Sequence, residues 1–131
     1  MSPEEHHDEL VDGLYRQLKQ IFDSSDQAIY LYLDDVHKAC NEKYSSLLGY
    51  VSPEEWAKTV FDEKAFPDIF ADPRSQEALV SAYWSTMNKM IGSTINVAWK
   101  KKNGVKVDTT VIMVPIAYKE HLFALHFISK K

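Results

Sequence analysis

One cysteine, Cys40, stands alone in 131 residues, so no disulfide framework holds this chain together. Only four glycines are present, and the sequence contains neither a glycine-rich phosphate loop nor a nucleophile elbow. The longest apolar runs, such as Val111 to Ala117, fall far short of the roughly 20 residues that cross a bilayer. Basic charge is not in excess. Fifteen Lys and Arg stand against nineteen Asp and Glu, a net charge of −4, which argues against a sequence-independent grip on nucleic-acid phosphates and against docking on anionic lipid. Residues 1–10 are acidic and have neither the basic nor the apolar region of a secretory signal. The expectation is a cytoplasmic chain that binds neither nucleic acid nor membrane.

What is present is a core. Forty-five per cent of residues are hydrophobic and 12% aromatic, enough for one globular domain that buries roughly two-thirds of its unfolded surface. From Pro3 to about Ser24 the sequence predicts a helix, with Ser2 as cap and Glu4 and Glu5 at the positive end of its dipole. Val11, Leu14, Leu18 and Ile21 form its apolar stripe, widened by Leu10 and Phe22. Alternation over Gln27–Leu33 predicts a strand with Ile29 and Leu31 on one face and Tyr30 and Tyr32 on the other. Asp34-Asp35 reads as a turn, and Val36–Cys40 as the returning strand.

Asn41 then caps a short helix that Gly49 ends, and Ser52-Pro53-Glu54-Glu55 reads as the capping box of another, anchored by Trp56. Residues 58–74 read as helical turns and loop, punctuated by Pro67 and Pro73 and pinned by Phe61, Phe66, Ile69 and Phe70. Ser75–Met90 predicts a long helix with Val80, Tyr83, Trp84, Met87 and Ile91 on its periodic face, stopped by Gly92. Three strands follow, near Thr94–Lys101, Val105–Ala117 and Leu122–Ile128, joined by hairpins. A three-residue loop with a left-handed Gly104 sets Ile95, Val97 and Trp99 beside Val107, Thr109, Val111 and Met113. In the last two strands both alternating sets are apolar, so both sheet faces need cover. The fold class is α+β, a five-stranded antiparallel sheet with helices between strands 2 and 3 and a flanking helix at the amino terminus.

The run Asn41-Glu-Lys-Tyr44-Ser-Ser-Leu47-Leu48-Gly49-Tyr50-Val-Ser-Pro-Glu54-Glu55 resembles the Asn-x-x-(aromatic)-x-x-Leu-Leu-Gly-Tyr-x-x-x-Glu signature of Per-Arnt-Sim (PAS) domains. Trp99-Lys-Lys-Lys-Asn103-Gly104 resembles the basic strand end of their second signature. Two family features are absent: Asp35 stands where a Gly is common, and the Asp-Ile-Thr that often follows the last strand is missing. The resemblance implies an amino-terminal helix over residues 1–25 and a PAS domain over 26–131, with no kinase, cyclase or DNA-binding effector after Ser129-Lys-Lys. It also implies a sensory or interaction module that encloses a pocket, without catalytic activity, with a small-molecule ligand or a signalling protein as partner.

Tyr44, Tyr83, Met87, Trp99, Met113 and His126 are the candidate pocket wall, being large, amphipathic or pliable residues expected between the long helix and the sheet. Val11, Leu14, Leu18 and Ile21 are the candidate homodimer seam, shielding the second sheet face at the same time. The cofactor stays open. The light-sensing flavin type lacks its Asn-Cys-Arg-Phe-Leu-Gln run here, and Cys40 reads as a small packing residue at a strand end. No histidine lies on the long helix to ligate haem, which leaves Met87 and His126 as the remaining haem ligands to consider. His37 and His126 read as hydrogen-bonded residues on strands. His6 and His7 are adjacent on a helix and do not share a face, so no metal site is expected there. Lys100-Lys101-Lys102 reads as a solvated hairpin end. The opposing readings are a structural dimerisation unit without ligand, and a small enzyme with Asp108 or His126 as general base.

Overall fold

The computed structural model describes residues 2–34, 36–59 and 70–131; Asp35, Phe61, Phe66, Pro67 and Ile69 lie outside the described residues. The element order is α1 (Pro3–Ser24), β1 (Ala28–Tyr32), β2 (Lys38–Cys40), α2 (Glu42–Leu48), α3 (Pro53–Ala57), α4 (Pro73–Lys89), β3 (Ser93–Lys100), β4 (Lys106–Tyr118) and β5 (His121–Lys130). All five strands join one antiparallel sheet in the order β2-β1-β5-β4-β3. The α+β architecture expected from the sequence is the one formed.

Local chemistry explains most boundaries. Ser2 Oγ accepts the Glu5 amide at the start of α1, and Asn41 Oδ1 accepts the Tyr44 amide at the start of α2. Gly49 closes α2 at φ 84°, a left-handed conformation that only glycine adopts without steric cost. At α3, Ser52 Oγ accepts the Glu55 amide, but Glu55 Oε1 reaches back to the Val51 amide rather than to that of Ser52, so the box is displaced by one residue. The β3–β4 hairpin has the predicted register, with Ile95 opposite Val111, Val97 opposite Thr109 and Trp99 opposite Val107, and Gly104 at φ 89°. Its tip is not purely solvated. Lys102 Nζ lies 3.2 Å from Glu55 Oε1, and the Lys102 amide donates to the Leu48 carbonyl at 2.7 Å.

The α4 stripe differs from expectation. The helix begins at Pro73 behind an Asp72 cap and ends at Met90, which itself takes the left-handed conformation two residues before Gly92. Its buried side chains are Ser75, Ala82 and Thr86, flanked by Leu79, Tyr83 and Met87, whereas Val80, Trp84 and Ile91 face outward. Small and polar residues sit innermost because α4 also satisfies the edge strand: Ser75 Oγ accepts the Ala98 amide at 2.8 Å, and Thr86 Oγ1 bonds Ser93 Oγ at 2.6 Å. Large outward side chains with helical spacing mimic a buried face.

Two apolar layers sandwich the sheet. On the inner face, Tyr30, Tyr44, Leu48, Trp56, Phe70, Val97, Trp99, Val111 and Ile128 form one cluster, continued by Ala82, Met113 and Ala124 under α4. On the outer face, Leu10, Val11, Leu14 and Phe22 of α1 pack with Ile29, Leu31, Phe123 and Leu125. Among the described residues no helix is long and apolar enough to cross a membrane.

Candidate functional site

The strand parity that sends Ile29 and Leu31 outward sends Tyr30 and Tyr32 inward, where β1 lies between β2 and β5. Tyr30 is the hub of an aromatic interior. Its ring stacks on His126 of β5 at a centroid distance of 3.8 Å, and lies 4.8 Å from Tyr44 of α2, 5.3 Å from Trp56 of α3 and 6.3 Å from Trp99 of β3. Tyr44 meets Trp56 and Trp99 edge-on at 5.0 and 5.8 Å, and Phe70 stacks on Trp99 at 5.4 Å. Edge-to-face and offset contacts of this kind add specific attraction to the burial of ring area.

Polar atoms in this interior divide into two groups. Trp99 Nε1 donates to Thr109 Oγ1 at 2.8 Å, and that hydroxyl donates on to the Val97 carbonyl at 2.8 Å, a complete chain. Among the described residues, Tyr44 Oη, Trp56 Nε1 and His126 Nδ1 are buried with no hydrogen-bond partner. Leaving a buried donor or acceptor unmatched costs about 1–3 kcal/mol, so three around one aromatic hub require an explanation. Burial pushes the His126 imidazole down to about 3 and the Tyr30 and Tyr44 phenols well above their ordinary range. All three are uncharged at neutral pH.

The six predicted wall residues fall into two adjoining groups. Tyr44, Trp99 and His126 belong to the aromatic interior, while Tyr83, Met87 and Met113 surround Ala82 and Ala124 beneath α4. Tyr32 links them, its ring 5.5 Å from Tyr83 and 6.4 Å from His126. Sequence reading missed Tyr30, Trp56, Phe70 and Lys38 as neighbours of the site. The β1 alternation that placed Tyr30 opposite Ile29 carried the signal for it. Lys38 carried none: it is a buried lysine whose Nζ donates to the Thr59 carbonyl and lies 5.3 Å from the centre of the Trp56 ring.

Other expectations are revised. His126 lies on β5 as predicted, but its Nδ1 is unpartnered and its ring is flat against Tyr30. His37 precedes β2 rather than lying in it, because Asp34 Oδ1 folds the turn by accepting the Val36 and His37 amides and the His37 ring. Asp108, the alternative general base, stands exposed at 3.6 Å from Lys106 Nζ, outside the aromatic interior. Cys40 is buried, with its thiol pushed up to about 12 by that burial. Val11 and Leu14 are buried against the outer sheet face and Leu18 is half-buried beside them, while Ile21 is 53% exposed. A separate open cleft of about 450 Å³ lies between α1 and the α2–α3 region, lined by Lys19, Asp23, Glu42, Ser46 and Glu54 among others. None of the predicted wall residues lines it.

A five-stranded sheet in the order 2-1-5-4-3, with α2 to α4 on the inner face between the second and third strands, is the arrangement to compare. No model of a protein family matches the sequence, and no curated protein does. Solved structures do match. A PAS domain from a two-component sensor histidine kinase superposes with a TM-score of 0.66 at 13% identity, over 92% of this chain and 98% of that one. This chain has the PAS fold. The PAS domain of a protein from Colwellia psychrerythraea gives a TM-score of 0.66 at 20% identity, over 90% of this chain and 97% of that one. The PAS domain of a LuxR-family transcriptional regulator from Burkholderia thailandensis, solved in complex with ethanol, gives 0.62 at 13% identity, over 83% and 93%. Against these PAS structures, the aromatic interior here sits between the sheet and α2 to α4.

Proposed function

We propose that the chain is a sensory and signal-transduction PAS module whose aromatic interior binds a small, uncharged, polar molecule. On this reading it is a cytoplasmic homodimer that passes the signal to a protein partner and has no catalysis of its own. The three unpartnered buried groups around Tyr30 carry the reading. A hydroxyl, an indole N–H and a neutral imidazole nitrogen together offer donors and an acceptor to a compact ligand bearing hydroxyl or amide groups. They offer no countercharge, which disfavours an ionised ligand. The ethanol complex of the Burkholderia thailandensis PAS domain supports a compact hydroxylated ligand in this fold. Because Val11 and Leu14 are already used by the chain's own sheet, a dimer would use the remaining exposed flank of α1 at Ile21.

A thermal-shift screen of small alcohols, polyols and amides tests ligand binding. The expected hit raises Tm for the parent, and the rise is lost in a Tyr44→Phe/His126→Phe double variant. Sedimentation of Ile21→Glu tests the dimer, with a halved mass expected. A second reading, a ligand-free interaction module, is favoured by the direct ring-to-ring contacts between Tyr30, Tyr44 and Trp56. No Tm rise with any compound would select that reading.

A further inference from the structure

The start of α1, the β1–β2 turn and the start of β5 bring together side chains that are scattered in sequence. His7 comes from the first turns of α1, Asp34 and His37 from the β1–β2 turn, and His121 from the first residue of β5. His7 Nδ1 lies 3.3 Å from Asp34 Oδ2, and His37 Nδ1 lies 2.7 Å from Asp34 Oδ1. The His7 ring is edge-on to His37 at 5.2 Å and to His121 at 5.6 Å, and His6 is edge-on to His121 at 5.2 Å. Asp8 Oδ1 stands 3.5 Å from His37 Nε2. Adjacent His6 and His7 therefore both find partners, His7 on the β1–β2 turn and His6 on His121.

We propose that His7, Asp34 and His37 form a binding site for a divalent first-row transition metal of the zinc class, with Asp8 and His121 beside it as further donors. One donor atom from each of the three ligands lies within 4.8 Å of the others. Donors about 2.1 Å from such an ion stand roughly 3.4 Å apart in a tetrahedron, so small side-chain rotations close the set. Two imidazoles and one carboxylate are the ligand chemistry that zinc, cobalt and nickel ions take, and oxygen-only ions such as calcium do not. The supporting bonds have the required form. Asp34 Oδ1 is committed to the turn, accepting the Val36 and His37 amides and bonding His37 Nδ1, which turns Oδ2 towards His7 and leaves Nε2, 3.5 Å from Asp8 Oδ1, as the nitrogen His37 offers an ion. His121 Nδ1 lies 3.1 Å from the Lys119 carbonyl; donation there leaves Nε2 with its lone pair, the outer bond typical of ligating histidines.

His121 is held in place by a two-residue turn, Lys119-Glu120, in which both residues take positive φ, 47° and 66°. Neither is a residue that adopts this conformation freely. An ion here would tie the start of α1 to the sheet end, independently of whether the aromatic interior takes a ligand.

The test is titration of the full, tag-free, chelator-stripped chain with zinc(II) by calorimetry and with cobalt(II) by visible absorption. The expected result is one ion per chain. His7→Ala and His37→Gln should each weaken binding by more than about ten-fold, since loss of even an outer-shell partner costs roughly 10–100-fold. His7 is only half-buried, so His7→Ala keeps the fold if His37→Gln does not. His6→Ala should leave the affinity unchanged. Absence of saturable binding in the parent, binding that survives His7→Ala, or equal loss in His6→Ala, which would indicate chelation by the adjacent pair alone, each overturns the proposal.

Discussion

At the scale of the residue, Asn41 does more than begin a helix. Its Oδ1 accepts the Ile29 and Tyr44 amides, both at 3.0 Å, and its Nδ2 donates to the Phe22 and Gln27 carbonyls at 3.2 and 2.9 Å. One buried amide thus ties α1, β1 and α2 together. Asn41→Ala removes all four bonds and strands their buried partners, and should cost about 2–4 kcal/mol in chemical denaturation. His126 sets a pH dependence. Its folded pKa, about 3, lies below the ordinary 6.5, so between these values the unfolded chain binds a proton that the folded chain refuses. Its contribution is complete above about pH 6.5 and is lost as pH falls towards 3, by about 2 kcal/mol at about pH 5. Unfolding free energies from urea titrations at about pH 7 and about pH 5 should differ by that amount more in the parent than in His126→Phe. The phenyl ring keeps the stack on Tyr30 and removes the unmatched nitrogen, so His126→Phe should not destabilise at neutral pH.

At the scale of the element, α1 is part of the core rather than an appendage, since Leu10, Val11, Leu14 and Phe22 cover the outer sheet face. The approach is closest at Gly13, where an added Cβ would lie 2.4 Å from Tyr118 Oη at the end of β4. Glycine to alanine inside a helix ordinarily stabilises by about 1 kcal/mol. Gly13→Ala should show little of this gain alone and most of it in a Tyr118→Phe background, measured as a double-mutant cycle. Equal gains in both backgrounds would contradict this contact. Elements were legible in the sequence where one local cause dominated. Asn41 and Gly49 bracket α2, Gly104 and alternation fix the β3–β4 register, and the Val11, Leu14 and Leu18 stripe gives α1 its buried side. They were less legible where tertiary partners decide. On α4 the sheet edge takes Ser75 and Thr86 inward and leaves Trp84 outside, against their hydrophobicity. His7, Asp34, His37 and His121 belong to three separate segments, so no spacing in the sequence announces that they meet.

At the scale of the whole molecule, the PAS fold is established by topology and superposition, and its interior is distinguished by what is left unpaired. Half of the predicted wall, Tyr44, Trp99 and His126, is gathered around Tyr30; the other half continues beneath α4. The polar atoms without partners could not be read from the sequence, because hydrogen-bond satisfaction depends on what the finished fold brings near. Phenylalanine at Tyr44 and His126 would remove two unmatched polar groups from the core; on the reading proposed above, those groups are there to meet a small molecule. The most direct measurement is native mass spectrometry of protein purified without refolding. A defined extra mass of a small neutral compound is expected on the parent and not on the Tyr44→Phe/His126→Phe variant. An unliganded mass in the parent, unchanged after incubation with hydroxylated and amide compounds, would contradict it.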